Sequence, residues 1–284
     1  MNRKALLVGI DDYEPVGAGG PDLRGCVNDI RDVAHTFHAL GIVDAKPTTM
    51  HILTNARASK ANILKEFKWL IKGAQEGDVL VFHYSGHGSW MVDVFGDEID
   101  WKDETICPHD FKTAGMIKDD ELRNLISGLK ENVTLDVVLD CCHSGTGTRE
   151  LNALAAVPEE QRVTYRYIEP PLDYRLFFDV DPTIQPRKIL KPSGGTREAV
   201  VVPGLNHVVW TGCCDYQTSA EARVNGEYRG IFTYCFCKVL RRAGIEITRS
   251  KLDSLVSTYI KDKGYSQIPQ LEGTGMSMSE KVFT

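Results

Sequence analysis

Two apolar runs in this chain each end in a short segment that carries a reactive side chain. DVLVFHY at residues 78–84 leads into SGHG, and LDVVLD at residues 135–140 leads into CCHSG. A short apolar run bounded by glycine and polar residues is typical of a strand buried on both faces. Open α/β sheets build their sites just past the carboxyl ends of their strands. The sequence therefore predicts that His87 and Cys142 lie at such strand ends.

The rest of the chain alternates between strand and helix patterns. Apolar runs predict further strands at residues 4–10, 50–53 and 207–212. Helical spacing of apolar residues predicts helices near residues 26–40, 61–72 with Ser59 as the N-cap, 119–129, 230–243 and 250–262. This order favours an α/β fold in which a mostly parallel sheet carries helices on both faces.

Residues 146–204 interrupt this order. Seven of the 12 prolines lie between Pro158 and Pro203, and no sustained periodicity runs through the stretch. Connections longer than about 15 residues are uncommon in compact domains. We interpret the stretch as an irregular insertion within a single domain over residues 1–284, with an extra surface hairpin as an equal alternative.

Composition and charge exclude several classes of protein. The net charge of −6 and the pI near 5.8 argue against nucleic-acid binding, which needs a basic face. No apolar run approaches the roughly 20 residues of a membrane helix. The start, MNRKALLVGI, ends at Asp11 without a cleavage site, so it predicts a first strand rather than a signal peptide, with no prodomain before it. The eight cysteines are expected to be reduced thiols, which are typical of cytosolic proteins, so we expect a cytoplasmic protein.

A thiol and an imidazole in neighbouring strand-end loops are the minimal pair for cysteine catalysis. The base removes the thiol proton, and the thiolate attacks an acyl carbon. His87 lies between two glycines, where the backbone turns and exposes the ring, whereas His83 lies inside the apolar run and is expected in the core. His143 directly follows the cysteine pair, which favours a structural role. The pattern therefore favours His87 as the base.

Seven segments of the chain resemble, in order, the sequence blocks of metacaspase-like peptidases (orthocaspases), which are relatives of caspases. They are LRGCVNDI (23–30), HYSGHG (83–88), GDEIDWKDETICPHD (96–110), KDDEL (118–122), DCCHSG (140–145), TGCCDYQTSAEA (211–222) and QIPQL (267–271). The 55 positions between His87 and Cys142 also resemble the caspase spacing, in which the histidine lies about 50 residues upstream. The resemblance implies a caspase-hemoglobinase fold, an α/β/α sandwich with a mostly parallel sheet of about six strands.

The resemblance also implies roles for individual residues. In the family pattern the nucleophile directly precedes His-Ser-Gly, which selects Cys142 and leaves Cys141 as a buried strand-end neighbour. The N–H groups of Gly88 and Cys142 would form the oxyanion hole.

The resemblance further implies an acidic first specificity pocket. Its positions correspond to Asp29 and Asp140, with Ser85 nearby and Asp215 as a further acidic contribution. Two carboxylates around a guanidinium make charge-assisted hydrogen bonds, so cleavage after arginine should exceed cleavage after lysine. The alternative interpretation is a solvated helix position for Asp29 and a strand-end cap for Asp140.

Calcium is an open question in the sequence. Many metacaspases bind it through carboxylates that correspond to Asp103, Asp119 and Asp120, and calcium prefers such oxygen ligands. The fourth family position holds Arg149, a cation that would repel a divalent ion. The alternative is a solvated acidic loop. We expect no required cofactor, with calcium as the alternative.

The sequence as a whole predicts a cysteine endopeptidase that cleaves peptides and proteins after Arg or Lys through a thioester acyl-enzyme. Two alternatives are a catalytically silent caspase-like binding module and a thiol redox protein, although CxxC spacing is missing. No nucleic-acid or membrane partner is expected, and a monomer is slightly favoured. Self-processing is a further hypothesis, because the insertion contains Arg149, Arg162, Arg166, Lys188, Lys191 and Arg197.

Overall fold

The computed structural model describes residues 1–15, 21–92, 102–130, 132–142, 163–170, 200–201, 207–213 and 219–284. The strands are β1 Arg3–Gly9, β2 Met50–Thr54, β3 Val79–Ser85, β4 Gly88–Val92, β5 Lys102–Ile106, β6 Ile117–Lys118, β7 Thr134–Asp140, β8 Thr164–Tyr165, β9 Val200–Val201, β10 Val208–Thr211, β11 Ala220–Val224, β12 Glu227–Gly230 and β13 Gln270–Gly273. The helices are α1 Cys26–Ala39, α2 Lys60–Ile71, α3 Phe111–Ala114, α4 Asp119–Ile126, α5 Ile231–Ala243, α6 Arg249–Asp262 and α7 Gly275–Ser279.

A central sheet organises the described chain, in the strand order β2-β1-β3-β7-β10-β13-β9. Neighbouring strands run parallel except for β10 and β13, which are antiparallel. Six of these strands have four or more residues, and β9 has two. The expected mostly parallel α/β sheet of about six strands is therefore confirmed.

Alternation along the strands sends side chains into two hydrophobic cores, one on each face of the sheet. In β1, Ala5 and Leu7 join the core that includes apolar residues of α1, α5 and α6. Leu6 and Val8 point the other way, into the core that includes those of α2 and α4. Ser59 caps α2, as predicted, by accepting a hydrogen bond from the N–H of Asn62. None of the helices in the described ranges is long and apolar enough to cross a membrane.

Two small antiparallel sheets border the central one, and sequence periodicity did not predict them. One has the order β4-β5-β6 and the other β12-β11-β8. The β11–β12 hairpin turns at Asn225 and Gly226, whose φ angles of 54° and 88° suit this residue pair. Strand β8 comes from inside the stretch interpreted as an insertion, of which residues 163–170 and 200–201 are described.

The register of β3 and β7 sets the position of the site. These neighbours are parallel, and Ser85 at the end of β3 is paired with Asp140 at the end of β7. The segments that follow both strands therefore leave the sheet side by side. His87 and Cys142 each come two residues after this pair.

Candidate active site

The ends of β3 and β7 approach each other so closely that a glycine is needed between them. A methyl group on Gly88 would collide with the main-chain carbonyl of Cys142. The N–H groups of the same two residues both point at a third carbonyl, that of Arg166. Gly88 and Cys142 thus lie together at the edge of the sheet, where the sequence predicted an oxyanion hole.

His87 is buried, and its ring is oriented through one nitrogen. Its Nε2 lies 2.6 Å from the carbonyl oxygen of Pro21, and its main-chain N–H donates to the hydroxyl of Tyr13 at 2.7 Å. A carbonyl can only accept, so Nε2 carries the proton of a neutral ring and Nδ1 keeps a lone pair. Burial lowers the pKa of His87 to about 4, although the hydrogen bond to Pro21 opposes this shift. The imidazole is therefore neutral near pH 7 and able to accept a proton at Nδ1.

Cys142 is fully buried, and its thiol is turned toward β11. The Sγ atom donates to the carbonyl of Ser219 at 3.0 Å. Nδ1 of His87 has no hydrogen-bond partner among the described residues, so the two side chains are not hydrogen-bonded to each other. Cys141 is buried as expected and contributes to the core on the α2 face. Proton transfer between thiol and imidazole would need the thiol to rotate away from Ser219.

His83, the alternative base, lies in the interior as the sequence predicted. Its ring is fully buried, and Nε2 lies 3.4 Å from the hydroxyl of Thr233 in α5. Burial lowers the pKa of His83 to about 4.

The predicted acidic pocket contains a guanidinium group from the same chain. Nη2 of Arg166 lies 2.7 Å from Oδ2 of Asp29, and Nη1 lies 3.0 Å from Oδ2 of Asp140. Nη1 also donates to Oγ of Ser85 at 2.8 Å, and Ser85 in turn donates to Asp29 at 2.7 Å. All four side chains come from segments that are distant in sequence. Asp29, Asp140 and Ser85 are therefore brought together, while Asp215 lies outside the described residues.

A third carboxylate, Glu221 of β11, completes the pocket. Its Oε2 lies 3.6 Å from Nη2 of Arg166, and the carboxylate accepts the main-chain N–H groups of Arg24 and Gly25 at 3.0 Å each. Sequence reasoning missed Glu221, although it lies in the quoted TSAEA segment. The Asn225–Gly226 turn signal nearby, typical of a hairpin, would have placed it on a strand.

The start of α5 holds the pocket carboxylates. Oδ2 of Asp140 accepts from the N–H and the hydroxyl of Thr233 at 3.0 and 2.7 Å, and Oδ1 of Asp29 accepts from the N–H of Gly230 at 2.9 Å. A helix N-terminus offers free N–H groups and favours negative charge. These bonds fix both carboxylates without using the oxygens' full capacity, which leaves each of them able to accept from a guanidinium.

The charge state of Asp29 depends on what fills the pocket. Burial raises the pKa of Asp29 to about 7, the positive charge of Arg166 lowers it, and the negative charge of Asp140 raises it. Burial likewise raises the pKa of Glu221. A cation in the pocket therefore favours the ionised form of Asp29 near neutral pH.

The main chain of Arg166 directly follows β8 and is hydrogen-bonded on both sides. Its carbonyl oxygen accepts from the N–H of Gly88 at 3.0 Å and from the N–H of Cys142 at 3.1 Å. Its own N–H donates to the carbonyl of Ser219 at 3.0 Å, continuing the antiparallel pairing of β8 with β11. On the other side, the N–H of Ile168 donates to the carbonyl of Gly88 at 2.9 Å. The two predicted oxyanion-hole donors thus hold the carbonyl of an arginine whose side chain fills the acidic pocket.

The candidate calcium ligands lie near one another, but each is paired with a cation. Asp103 of β5 pairs with Lys118, and Arg123 lies 2.7 Å from Asp119 and 2.9 Å from Asp120. In the described ranges, no three acidic, histidine or cysteine side chains converge as a metal site would need. Each candidate calcium ligand therefore has a cation beside it where it lies, and Arg149 lies outside the described residues.

Comparisons with known proteins identify the family of this chain. The family model for the metacaspase peptidase C14 domain matches residues 3–149. Metacaspase-1 of Mycosarcoma maydis is 33% identical over 96% of this chain and 70% of its own length. Metacaspase-1 of Eremothecium gossypii is 32% identical over 95% of this chain, which spans 63% of that protein.

Solved structures share the fold at lower identity. A Geobacter sulfurreducens protein superposes with a TM-score of 0.65 at 23% identity, covering 100% of this chain and 99% of that one. Caspase-1 from Spodoptera frugiperda superposes with a TM-score of 0.52 at 13% identity, covering 96% and 88%. Together with the family match and the relatives above 30% identity, the comparisons show that this chain belongs to the metacaspase family of C14 peptidases.

Proposed function

We propose that this protein is a cysteine endopeptidase that cleaves peptide bonds after arginine, and more slowly after lysine. Cys142 is the nucleophile, His87 the base, and the N–H groups of Gly88 and Cys142 form the oxyanion hole. Asp29, Asp140 and Glu221 bind the side chain of the residue before the cleaved bond.

The observation that carries this proposal is the double placement of Arg166. One residue presents its guanidinium to three carboxylates and its carbonyl oxygen to the N–H groups of Gly88 and Cys142. A peptide substrate with arginine before the cleaved bond requires both interactions at once. The planar guanidinium donates to two carboxylates and a hydroxyl together, whereas an ammonium group is a single point of charge, so arginine should be preferred.

The reaction begins when the thiol of Cys142 turns from Ser219 and passes its proton to Nδ1 of His87. The sulfur attacks the carbonyl carbon, and the negative charge that develops on the carbonyl oxygen is held by two N–H groups. The C–N bond breaks, His87 protonates the leaving amine, and a thioester remains on Cys142. Water then attacks the thioester with His87 as the base, releasing the carboxylate product and the free thiol.

Fluorogenic peptides test this proposal directly. Matched peptides ending in Arg, Lys or Asp would be offered to the native protein and to Cys142→Ala. We expect hydrolysis of the Arg peptide, slower hydrolysis of the Lys peptide and none of the Asp peptide, all of it lost in Cys142→Ala. Hydrolysis after Asp, or activity that survives the substitution, would contradict the proposal; a protein that binds Arg peptides without cutting them would be the silent binding module.

A further inference from the structure

We propose that Tyr13 and Tyr84 are positioning residues for His87, and that their two hydroxyl groups hold its main chain so that Nδ1 can take the proton of Cys142. This inference rests on the proposed function and adds to it two residues that act through His87 rather than on the reacting atoms. Tyr13 lies in the segment after β1, and Tyr84 is the next-to-last residue of β3.

The main chain at His87 needs support from outside because glycine lies on both sides of it. Gly86 and Gly88 have no Cβ atom, and such residues restrict the backbone least. The ring itself is held at one end, where Nε2 lies 2.6 Å from the carbonyl oxygen of Pro21. A single contact on the ring leaves the imidazole free to turn about it with the main chain. The direction of Nδ1 therefore depends on what holds the N–H and the carbonyl of His87.

The N–H of His87 is held by Tyr13. It donates to the hydroxyl oxygen at 2.7 Å, and the two rings pack with their centroids 5.0 Å apart at an angle of 48°. Tyr13 is fully buried, and a buried N–H that loses its partner costs about as much free energy as a lost hydrogen bond. Because Tyr13 accepts this bond, its own proton remains available to another acceptor.

The carbonyl of His87 is held by Tyr84. The hydroxyl of Tyr84 lies 2.7 Å from the His87 oxygen and 2.8 Å from the Cys107 oxygen, and the N–H of Cys107 donates to the same His87 carbonyl at 3.0 Å. A carbonyl oxygen can only accept, so Tyr84 gives its one proton to these carbonyls. The Tyr84 oxygen then accepts from Tyr13, which lies 3.4 Å away, the longest of these contacts. A closed chain of hydrogen bonds thus runs from the N–H of His87 through both hydroxyls to its carbonyl.

The two hydroxyl groups also pack against the main chain at Gly86. A methyl group there would lie 2.5 Å from the Tyr84 oxygen and 2.7 Å from the Tyr13 oxygen. Burial raises the pKa of each tyrosine well above its ordinary value, so both hydroxyls stay protonated near neutral pH. A core position needs only an aromatic ring, which phenylalanine supplies as well. What tyrosine adds at both positions is a hydroxyl group in contact with His87.

Steady-state kinetics on the Arg peptide test the inference. Tyr13→Phe and Tyr84→Phe each remove one hydroxyl and keep the ring. The matched control, Tyr265→Phe, makes the same change in a tyrosine that packs against the other core, on the α1 face. We expect kcat to fall about tenfold in both test variants, the size of one hydrogen bond, with KM unchanged within about twofold. A displaced base slows proton transfer without changing how the pocket binds arginine.

Counting active sites separates a slower enzyme from a smaller amount of folded enzyme. Each preparation would be titrated with an arginyl chloromethyl ketone, which alkylates the catalytic thiol once per active site, and kcat would be expressed per labelled site. Tyr265→Phe should match the native protein on this scale. Thermal denaturation checks the fold, and Tyr13→Phe carries the test if Tyr84→Phe does not fold.

Two combinations of variants show whether the hydroxyls act through His87. Tyr13→Phe combined with Tyr84→Phe should lose less than the roughly hundredfold of two independent tenfold effects, because both hydroxyls belong to one chain of hydrogen bonds. In the His87→Ala protein, Tyr13→Phe should leave the residual rate unchanged, since no imidazole remains to be positioned. A general loss of packing would instead lower the rate in both backgrounds.

The outcomes separate this inference from the proposed function. If the native protein does not hydrolyse the Arg peptide, both proposals fail. If it does, native kcat in Tyr13→Phe and Tyr84→Phe, or a loss confined to KM, would overturn the positioning role and leave the peptidase standing. A tenfold loss that persists in the His87→Ala protein would overturn it as well.

Discussion

A methyl carbon placed on Gly230 would lie 2.5 Å from Nη1 of Arg166 and would collide with the carboxylate of Asp140. The φ angle of Gly230 is −63°, which any residue adopts, so its backbone does not require glycine. Glycine is required by the space that the guanidinium and the carboxylates of Asp140 and Asp29 occupy. Gly230 at the start of α5 is therefore a lining residue of the pocket, although it carries no side chain.

Gly230→Ala should remove cleavage after arginine. The added methyl group occupies the place of the guanidinium, and disrupting a buried ion pair costs about 3 kcal/mol, or roughly a hundredfold in kcat/KM. The measurement is kcat/KM on the Arg peptide, with circular dichroism to check the fold. Gly128→Ala is the matched control, because nothing lies within 4 Å of a methyl group there. Wild-type activity in Gly230→Ala would show that the space around the Arg166 guanidinium is not the specificity pocket.

Glu221→Gln should weaken binding of Arg peptides more than it slows chemistry. Glu221 contributes the third carboxylate, 3.6 Å from the guanidinium, and makes its hydrogen bonds to the main-chain N–H groups of Arg24 and Gly25. We expect KM to rise about tenfold, the size of one lost charge interaction, with kcat changed much less. The control is Glu227→Gln on the same hairpin, which pairs with Arg229 and is half exposed. A fall in kcat at unchanged KM would contradict this role.

Cleavage after arginine should increase with pH through about 7. With Arg166 in the pocket, burial raises the pKa of Asp29 to about 7, and without that cation the pKa lies higher; the ionised form is the one that binds a guanidinium. Below that pH Asp29 is protonated and binding weakens; above it the carboxylate is charged and binding is full. We expect kcat/KM to fall at least tenfold, to within about a factor of two, between pH 8 and pH 6. In Asp29→Asn this rise with pH should be lost, and kcat/KM should stay low at every pH. A native profile that is flat between pH 6 and pH 8 would contradict the role of Asp29.

The two histidines of the HYSGHG segment should respond differently to substitution. His87→Ala removes the proton acceptor and should lower kcat about a thousandfold. His83→Gln should act mainly on stability, because His83 is buried next to Thr233 and its loss disturbs the interior by about 1–3 kcal/mol. Measurements of kcat and of urea unfolding separate the effects. The assignment is reversed if His83→Gln is the inactive variant and His87→Ala keeps its kcat.

Peptidase activity should persist when calcium is chelated. Asp103 pairs with Lys118, and Asp119 and Asp120 pair with Arg123, so a calcium ion would have to displace two cations. Activity on the Arg peptide in excess EGTA should match activity in about 1 mM calcium, a concentration that would fill even the weaker class of calcium sites. Activity seen only with added calcium would show that these carboxylates rearrange into a site.

The sequence by itself predicted the sheet, its two-sided core and the meeting of the HYSGHG and DCCHSG segments. These features depend on local signals. Apolar runs predict the buried strands, helical spacing predicts α1 and α5, and the glycines beside His87 predict a turn after β3. Asp29, Ser85 and Asp140 were also identified, because each lies in a quoted motif block. The parallel register of β3 and β7 places Ser85 beside Asp140, and Asp29 joins them from α1.

Only the tertiary structure decided what fills the pocket. Arg166 contacts Asp29 across 137 positions of sequence, and no periodicity or spacing distinguishes it from the other basic residues of its stretch. Glu221 joins the pocket through the β11–β12 hairpin, and Gly230 through the space that the guanidinium needs. Local pattern fixes which elements form, since it reflects the period of helix and strand. Which side chain reaches across the cleft is decided by burial and charge pairing between distant segments, and these exist only once the chain has folded.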